Sequence, residues 1–173
     1  MWISQLLGFA VTALLGTLLH FLYEWTGGAR WAAIISGVNE STFEHMKLLF
    51  WPMLVFALFQ WYFHSERGDF WCVKLRGMLL GLALIPVLFY TYNGVIGKSP
   101  DFVNIAIFFV AAAAAYIYES ILFKRESLRL CSPAVSLILI VVIALAFVIF
   151  TFRTPRLNIF FDPLTATYGI PPR

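Results

Sequence analysis

Five apolar stretches, each close to the ~20 residues needed to cross the hydrocarbon core of a bilayer as a helix, dominate this chain. They run over residues 2–25, 42–63, 71–92, 102–123 and 132–152, separated by short charged or Gly/Pro-containing breaks. Helices are the only form that suits them. Backbone groups in lipid must be satisfied within the segment or within a closed barrel, and no alternating barrel pattern is present. Composition agrees: 61% of the 173 residues are hydrophobic and 12% charged, against roughly 25% charged in a soluble domain. The expected fold class is an all-α polytopic transmembrane helix bundle, a single integral membrane domain over residues 1–173 with an ordered C-terminal tail at 153–173. The first stretch lacks a basic leader and is too long for a signal peptide, so it is expected to remain as a helix.

The net charge of +3 comes largely from basic residues in short loops. These read as topology signals and lipid-headgroup contacts, not as a nucleic-acid surface. Arg67, Lys74, Arg76, Lys124, Arg125 and Arg129 follow the second and fourth spans, whereas only Arg30 and Lys98 follow the first and third. The positive-inside rule then predicts a cell (inner, cytoplasmic) membrane protein with its N-terminus in the cytoplasm and its C-terminus outside. Arg153, Arg156 and Arg173 in the tail oppose that orientation. Cys72 and Cys131 form no CxxC pair and fall on the inferred cytoplasmic side, so reduced, inert thiols are expected. Gly77 and Gly81 make a GxxxG spacing, and residues 111–115 are all alanine. Both favour close helix packing, within the bundle or, as a weaker alternative, in a homo-oligomer or with a membrane partner. Pro52 and Pro86 are expected to kink their helices.

Residues 31–38 are too apolar for an open loop and too short to cross the membrane, which predicts a re-entrant or interfacial short helix near 30–38. It leads directly into a polar run, Asn39-Glu40-Ser41-Thr42-Phe43-Glu44-His45-Met46-Lys47. The apolar residues that follow, 48–63, rise only about 24 Å as a helix, so the span must draw in those polar first turns. Ser41 and Glu44 match a capping box, Asn39 is another N-cap candidate, and Glu44 and Lys47 can pair at i,i+3. Capping leaves Glu40, His45 and Lys47 without a reason to be crowded there. His20 and Glu24 share one face of the first helix and arrive at the same end. The candidate site is therefore His20, Glu24, Asn39, Glu40, Ser41, Glu44, His45 and Lys47, with Asp162 and Tyr168 of the tail as further contributors. Tyr90, Tyr92, Asn93 and Asn104 end or begin helices at that face. Mixed ligation of a divalent metal such as zinc by His20, His45, Glu44 and Glu24 is chemically sound. Glu119 is expected to pair with Lys124 or Arg125, and Gln60 and His64 to be interfacial.

The segments His20-Phe-Leu-Tyr-Glu24, Val38-Asn-Glu-Ser-Thr-Phe-Glu-His45-Met-Lys47 and Phe161-Asp-Pro-Leu-Thr-Ala-Thr-Tyr-Gly169 together resemble an uncharacterised family of small bacterial multi-pass membrane proteins. That resemblance implies membrane location and a bacterial source, and nothing catalytic. Ser41-x-x-x-His45 is also similar to one motif of the seven-helix membrane hydrolases that include alkaline ceramidases, where three histidines hold zinc. This chain lacks their His-x-x-x-His partner motif and has too few helices. Three functions stay open: binding or permeation of a cation, proton or small polar solute; metal-dependent hydrolysis of a lipid or lipid-linked substrate; and a structural or assembly subunit. The tail, rich in aromatics, is expected to fold back over the cluster.

Overall fold

A computed structural model describes residues 2–97, 100–124 and 131–171. Among them are six α-helices: α1 (Trp2–Trp25), α2 (Arg30–Ile35), α3 (Thr42–His64), α4 (Phe70–Val95), α5 (Asp101–Phe123) and α6 (Pro133–Phe152). All but α2 are long and apolar enough to cross a membrane. The bundle is all-α apart from a 3-10 turn (Asn158–Phe160) and a two-residue hairpin, β1 (Phe161–Asp162) and β2 (Thr167–Tyr168), in which Phe161 faces Tyr168. Helices α3 and α4 run unbroken through Pro52 and Pro86. At 23 residues α3 is about 34 Å long, enough to span only because it includes Glu44 to Lys47.

Small residues decide how the helices meet. The buried positions of α1 are Gln5, Gly8, Thr12 and Gly16, a polar and side-chain-poor stripe. Gly8 lies against the rings of Tyr116 and Phe56, and Gly16 against Phe108 and the Leu48 carbonyl. A side chain at either glycine would separate α1 from α5 and α3, and in lipid close packing is what holds helices together. On α4, Gly77 makes room for Glu119 and Gly81 for Leu49 and Ala115. The GxxxG face and the alanine run are thus filled within the chain.

Three sequence expectations are corrected here. Glu119 pairs not with Lys124 but with Lys74 of α4, 2.5 Å away and equally buried; Arg125 lies outside the described residues. The neighbour across the α4/α5 contact is closer than the neighbour along the chain. Gln60 is buried and donates to Ser4 Oγ at 2.7 Å instead of lying at an interface. Cys72 and Cys131 are joined in a disulfide, their Cα atoms 6.2 Å apart, because α4 and α6 begin side by side at one end of the bundle. Nearby, Arg67 binds the Asp69 carboxylate and the Phe123 carbonyl, closing the α3–α4 turn onto the end of α5.

At the opposite end, α2 is anchored by two polar side chains. The Ser36 hydroxyl accepts from Tyr23 N–H at 2.9 Å and donates to the Leu19 carbonyl at 2.5 Å. It thereby bridges the two groups of one rung of α1 beside His20. Ala32 and Ala33 are fully buried. The eight-residue stretch is neither an open loop nor a span but a packed elbow that turns the chain from α1 into α3.

Candidate functional site

The elbow delivers the polar run onto the first turns of α3, where successive side chains diverge by about 100° around the helix. Ser41 is the N-cap, accepting from Glu44 N–H at 3.4 Å, and Asn39 Oδ1 accepts from Ser41 N–H at 2.9 Å. The capping box is only half formed. Glu44 does not return to the Ser41 N–H but accepts from Val38 N–H at 3.1 Å.

Two polar groups result, on different sides of α3. The first is buried against α2 and α6. Lys47 is fully buried and contacts three acceptors: Glu44 Oε2 at 2.6 Å, the Ala33 carbonyl at 2.8 Å and Thr151 Oγ1 at 3.1 Å. Those are as many as an ammonium group has donors. Lys47, Glu44 and Thr151 are all buried, so the chemistry of the group is that of a fastener joining α2, α3 and α6.

The second group is half-buried and faces α1 and α5. Glu40 Oε1 lies 3.3 Å from His20 Nε2, and Glu40 Oε2 lies 3.6 Å from His45 Nε2. One ligand atom from each of the three residues falls within 4.8 Å of the others. His45 Nδ1 is 3.0 Å from the Ser41 carbonyl, which only accepts, so Nδ1 carries the proton. In the neutral ring the Nε2 lone pair then points at the Glu40 carboxylate, and two acceptors facing each other need a cation between them, either a proton or a metal ion.

This trio forms the polar end of a cavity of about 370 Å³. Its floor is Gly16, Leu48 and Phe108, which are buried, and its rim includes Thr17, Phe21, Ile105 and Leu164, which are exposed. Asn104 also lines it.

Of the residues singled out in the sequence, His20, Glu40 and His45 therefore converge, while Glu44 and Lys47 form the separate buried pair. Glu24 is exposed at the end of α1 and is not in the trio. Asn39 and Ser41 shape the turn, and Asn39 Nδ2 donates to the Gly169 carbonyl at 2.8 Å, tying the tail to α3. Asp162 accepts from Leu164 N–H and the Thr165 hydroxyl within the tail, and its carboxylate lies close enough to His45 to act on it electrostatically. The Tyr168 ring packs at a tilt against Phe161, 5.4 Å between ring centres. Phe160 is buried 4.6 Å from the Phe43 ring, ring centre to ring centre, and Leu164 reaches the cavity rim. His64 sits half-buried at the far end of α3, and Tyr90 is exposed. Asn93 donates to the Phe89 carbonyl.

Sequence reasoning missed Thr151 as a partner of Lys47 and the cavity walls at Gly16 and Phe108. For the walls a signal was available: Gly8, Thr12, Gly16 and His20 recur every four residues and mark the inward face of α1.

No curated protein and no solved structure matches the chain. The sequence pattern of one family, described as a family of unknown function (DUF6512), matches residues 1–170. With nearly its whole length covered, this chain of apolar helices belongs to the family of unknown function DUF6512.

Proposed function

We propose that the protein is a multi-pass membrane protein that binds a divalent transition-metal ion of the zinc class through His20, Glu40 and His45. The observation that carries this is the His45 ring, whose Nδ1–H is held by the Ser41 carbonyl so that Nε2 faces a carboxylate. A hydrogen bond from the other ring nitrogen to a carbonyl is the usual way a ligating histidine is oriented. The spacing is compatible too. Metal–ligand bonds of about 2.0–2.1 Å in a tetrahedron put ligand atoms about 3.3–3.4 Å apart, and here the two histidine Nε2 atoms lie 3.3 and 3.6 Å from different oxygens of the Glu40 carboxylate. One ligand atom from each residue lies within 4.8 Å of the other two, a spread that an ion would draw in. Glu44, named with Glu24 as a ligand candidate from sequence, is committed to Lys47 and Val38 instead.

Metal analysis of the purified protein after equilibration with zinc and removal of excess tests this. About one ion per chain is expected, lost in His20→Ala and His45→Ala and retained in Glu24→Ala. A wild-type protein that holds no metal refutes the proposal. A second reading, hydrolysis by metal-bound water, is favoured by the cavity: two histidines and one glutamate leave a fourth position open, the arrangement of several catalytic zinc sites.

Orientation is also a matter for proposal. Lys47 and Lys74 are buried in ion pairs and do not count as loop charges. The remaining basic residues divide evenly by sequence position, Arg67, Arg76, Lys124, Arg125 and Arg129 toward one end and Arg30, Lys98, Arg153, Arg156 and Arg173 toward the other. With the charge bias removed, the Cys72–Cys131 disulfide supports placing its end in an oxidising compartment. The His20 end then faces the reducing side, opposite to the positive-inside expectation.

A further inference from the structure

The cavity beside the trio is polar at one end only. His20, Glu40 and His45 crowd its head, while Phe21, Leu48, Ile105, Phe108 and Phe109 supply hydrocarbon walls. At about 30 Å³ per water the space corresponds to roughly a dozen molecules, yet most of its lining offers water no hydrogen bond. Its rim is exposed at Thr17 and Phe21 of α1 and at Ile105 of α5, with Ile105 58% and Phe21 42% accessible. Both helices are long and apolar enough to cross a membrane, so in a bilayer the opening between them would face lipid.

We propose that this cavity takes the upper chain of an anionic single-chain amphiphile, which enters sideways from the bilayer between α1 and α5 and places its carboxylate or phosphate head at the open position of the metal. This rests on the metal reading of the trio. A dipositive ion with one glutamate ligand leaves a net positive charge that an anionic oxygen completes. From His20 to Gly16 is one turn of helix, about 6 Å, so the cavity accepts only the first methylenes and the rest of the chain stays in lipid. Moving hydrocarbon from lipid to apolar protein gains little, because lipid tails are as apolar as the walls. Selection therefore falls on the head group, and binding must depend on the metal.

The test uses the full chain in lipid nanodiscs loaded with zinc and a palmitate analogue carrying a photoreactive diazirine near its carboxylate. After irradiation, peptide mapping is expected to find label concentrated in residues 16–21 and 105–109. Excess palmitate should lower it at least fivefold, as should chelation of the metal. Ile105→Trp, which obstructs the rim from the lipid side, should do the same, whereas Val110→Trp, on the exposed face of α5 away from the cavity, should not. Displacement by lysophosphatidic acid at a lower concentration than palmitate needs identifies a lysophospholipid as the source of the chain; the converse identifies a free fatty acid. Label spread evenly over the exposed faces of all five spans, or unaffected by chelation, overturns the inference. Metal content measured on the same discs separates the failures: one ion per chain with even labelling refutes only the amphiphile, and no ion refutes the metal site beneath it.

Discussion

Replacing Lys47 by methionine is the sharpest test of how the two polar groups divide their work. Lys47 is fully buried, and its ammonium is shared among Glu44, the Ala33 carbonyl and Thr151. Methionine fills a similar volume but leaves the Glu44 carboxylate buried with only the Val38 N–H, and strands the Ala33 carbonyl at the end of α2. Thr151 loses little, since its hydroxyl still donates to Phe147. Removing one partner of a buried ion pair costs about 3–5 kcal/mol, most of it the uncompensated charge. For a chain of this size that lowers the melting temperature by roughly 6–20 °C. The double variant Glu44→Gln/Lys47→Met removes both charges, so it should recover most of the loss and melt well above the sum of the single effects. Thermal unfolding in detergent, followed by tryptophan fluorescence, reads all four proteins. Below their melting temperatures the variants should keep the metal stoichiometry of the wild type, because the trio lies on another side of α3. A Lys47→Met protein that melts within 2 °C of wild type, or a double variant no better than additive, would falsify the claim that this pair is a closed structural fastener.

Gly77→Ala should force Glu119 away from its place against α4 and loosen Lys74, lowering the melting temperature by several degrees; an unchanged melt would mean that Glu119 has room to spare. Gly169 combines a φ of +70° with a Cβ position 2.6 Å from Thr154 Oγ1, so Gly169→Ala should free the tail from Asn39. Limited proteolysis should then cut the segment after α6 markedly faster than in wild type, and equal rates would contradict the docking. Cysteine accessibility checks both the disulfide and the orientation. A bulky maleimide should shift the protein on a denaturing gel only after reduction, and a single cysteine at Thr165 in a Cys72→Ser/Cys131→Ser background should react with impermeant reagent only from the reducing side. Labelling from the oxidising side restores the orientation drawn from loop charges.

The spans were legible because length and hydropathy alone set them; α4 exceeds the expected 71–92 by three residues at its C-terminal end, where apolar Val95 gives no warning of the stop. The meeting of His20 with His45 was legible as topology, since an elbow too short to cross must bring the end of α1 back to the start of α3. The separation of Glu44 from His45 is a matter of helical phase, 100° per residue, which a contiguous motif conceals. Glu119 and the two cysteines were misread for a common reason. Their partners lie 45 and 59 residues away, and which helices stand side by side is decided by the fit of Gly77, Gly81 and the alanines, not by proximity along the chain. The cavity depends on that same fit, through Gly16 and Phe108, and no single stretch encodes it.

The stripe of Gln5, Gly8, Thr12 and Gly16 reverses the usual relation between hydrophobicity and mutational tolerance. On a water-soluble helix, drift is freest among polar positions; on α1 the apolar residues that face lipid are interchangeable, and the glutamine, threonine and glycines are the constrained ones. A saturation library of α1 scored for folded protein should therefore accept Leu, Ile, Val, Phe and Met almost without preference at Ile3, Leu7 and Leu14, yet reject them at Gly8 and Gly16. Substitution scales calibrated on soluble cores would rank those positions in the opposite order.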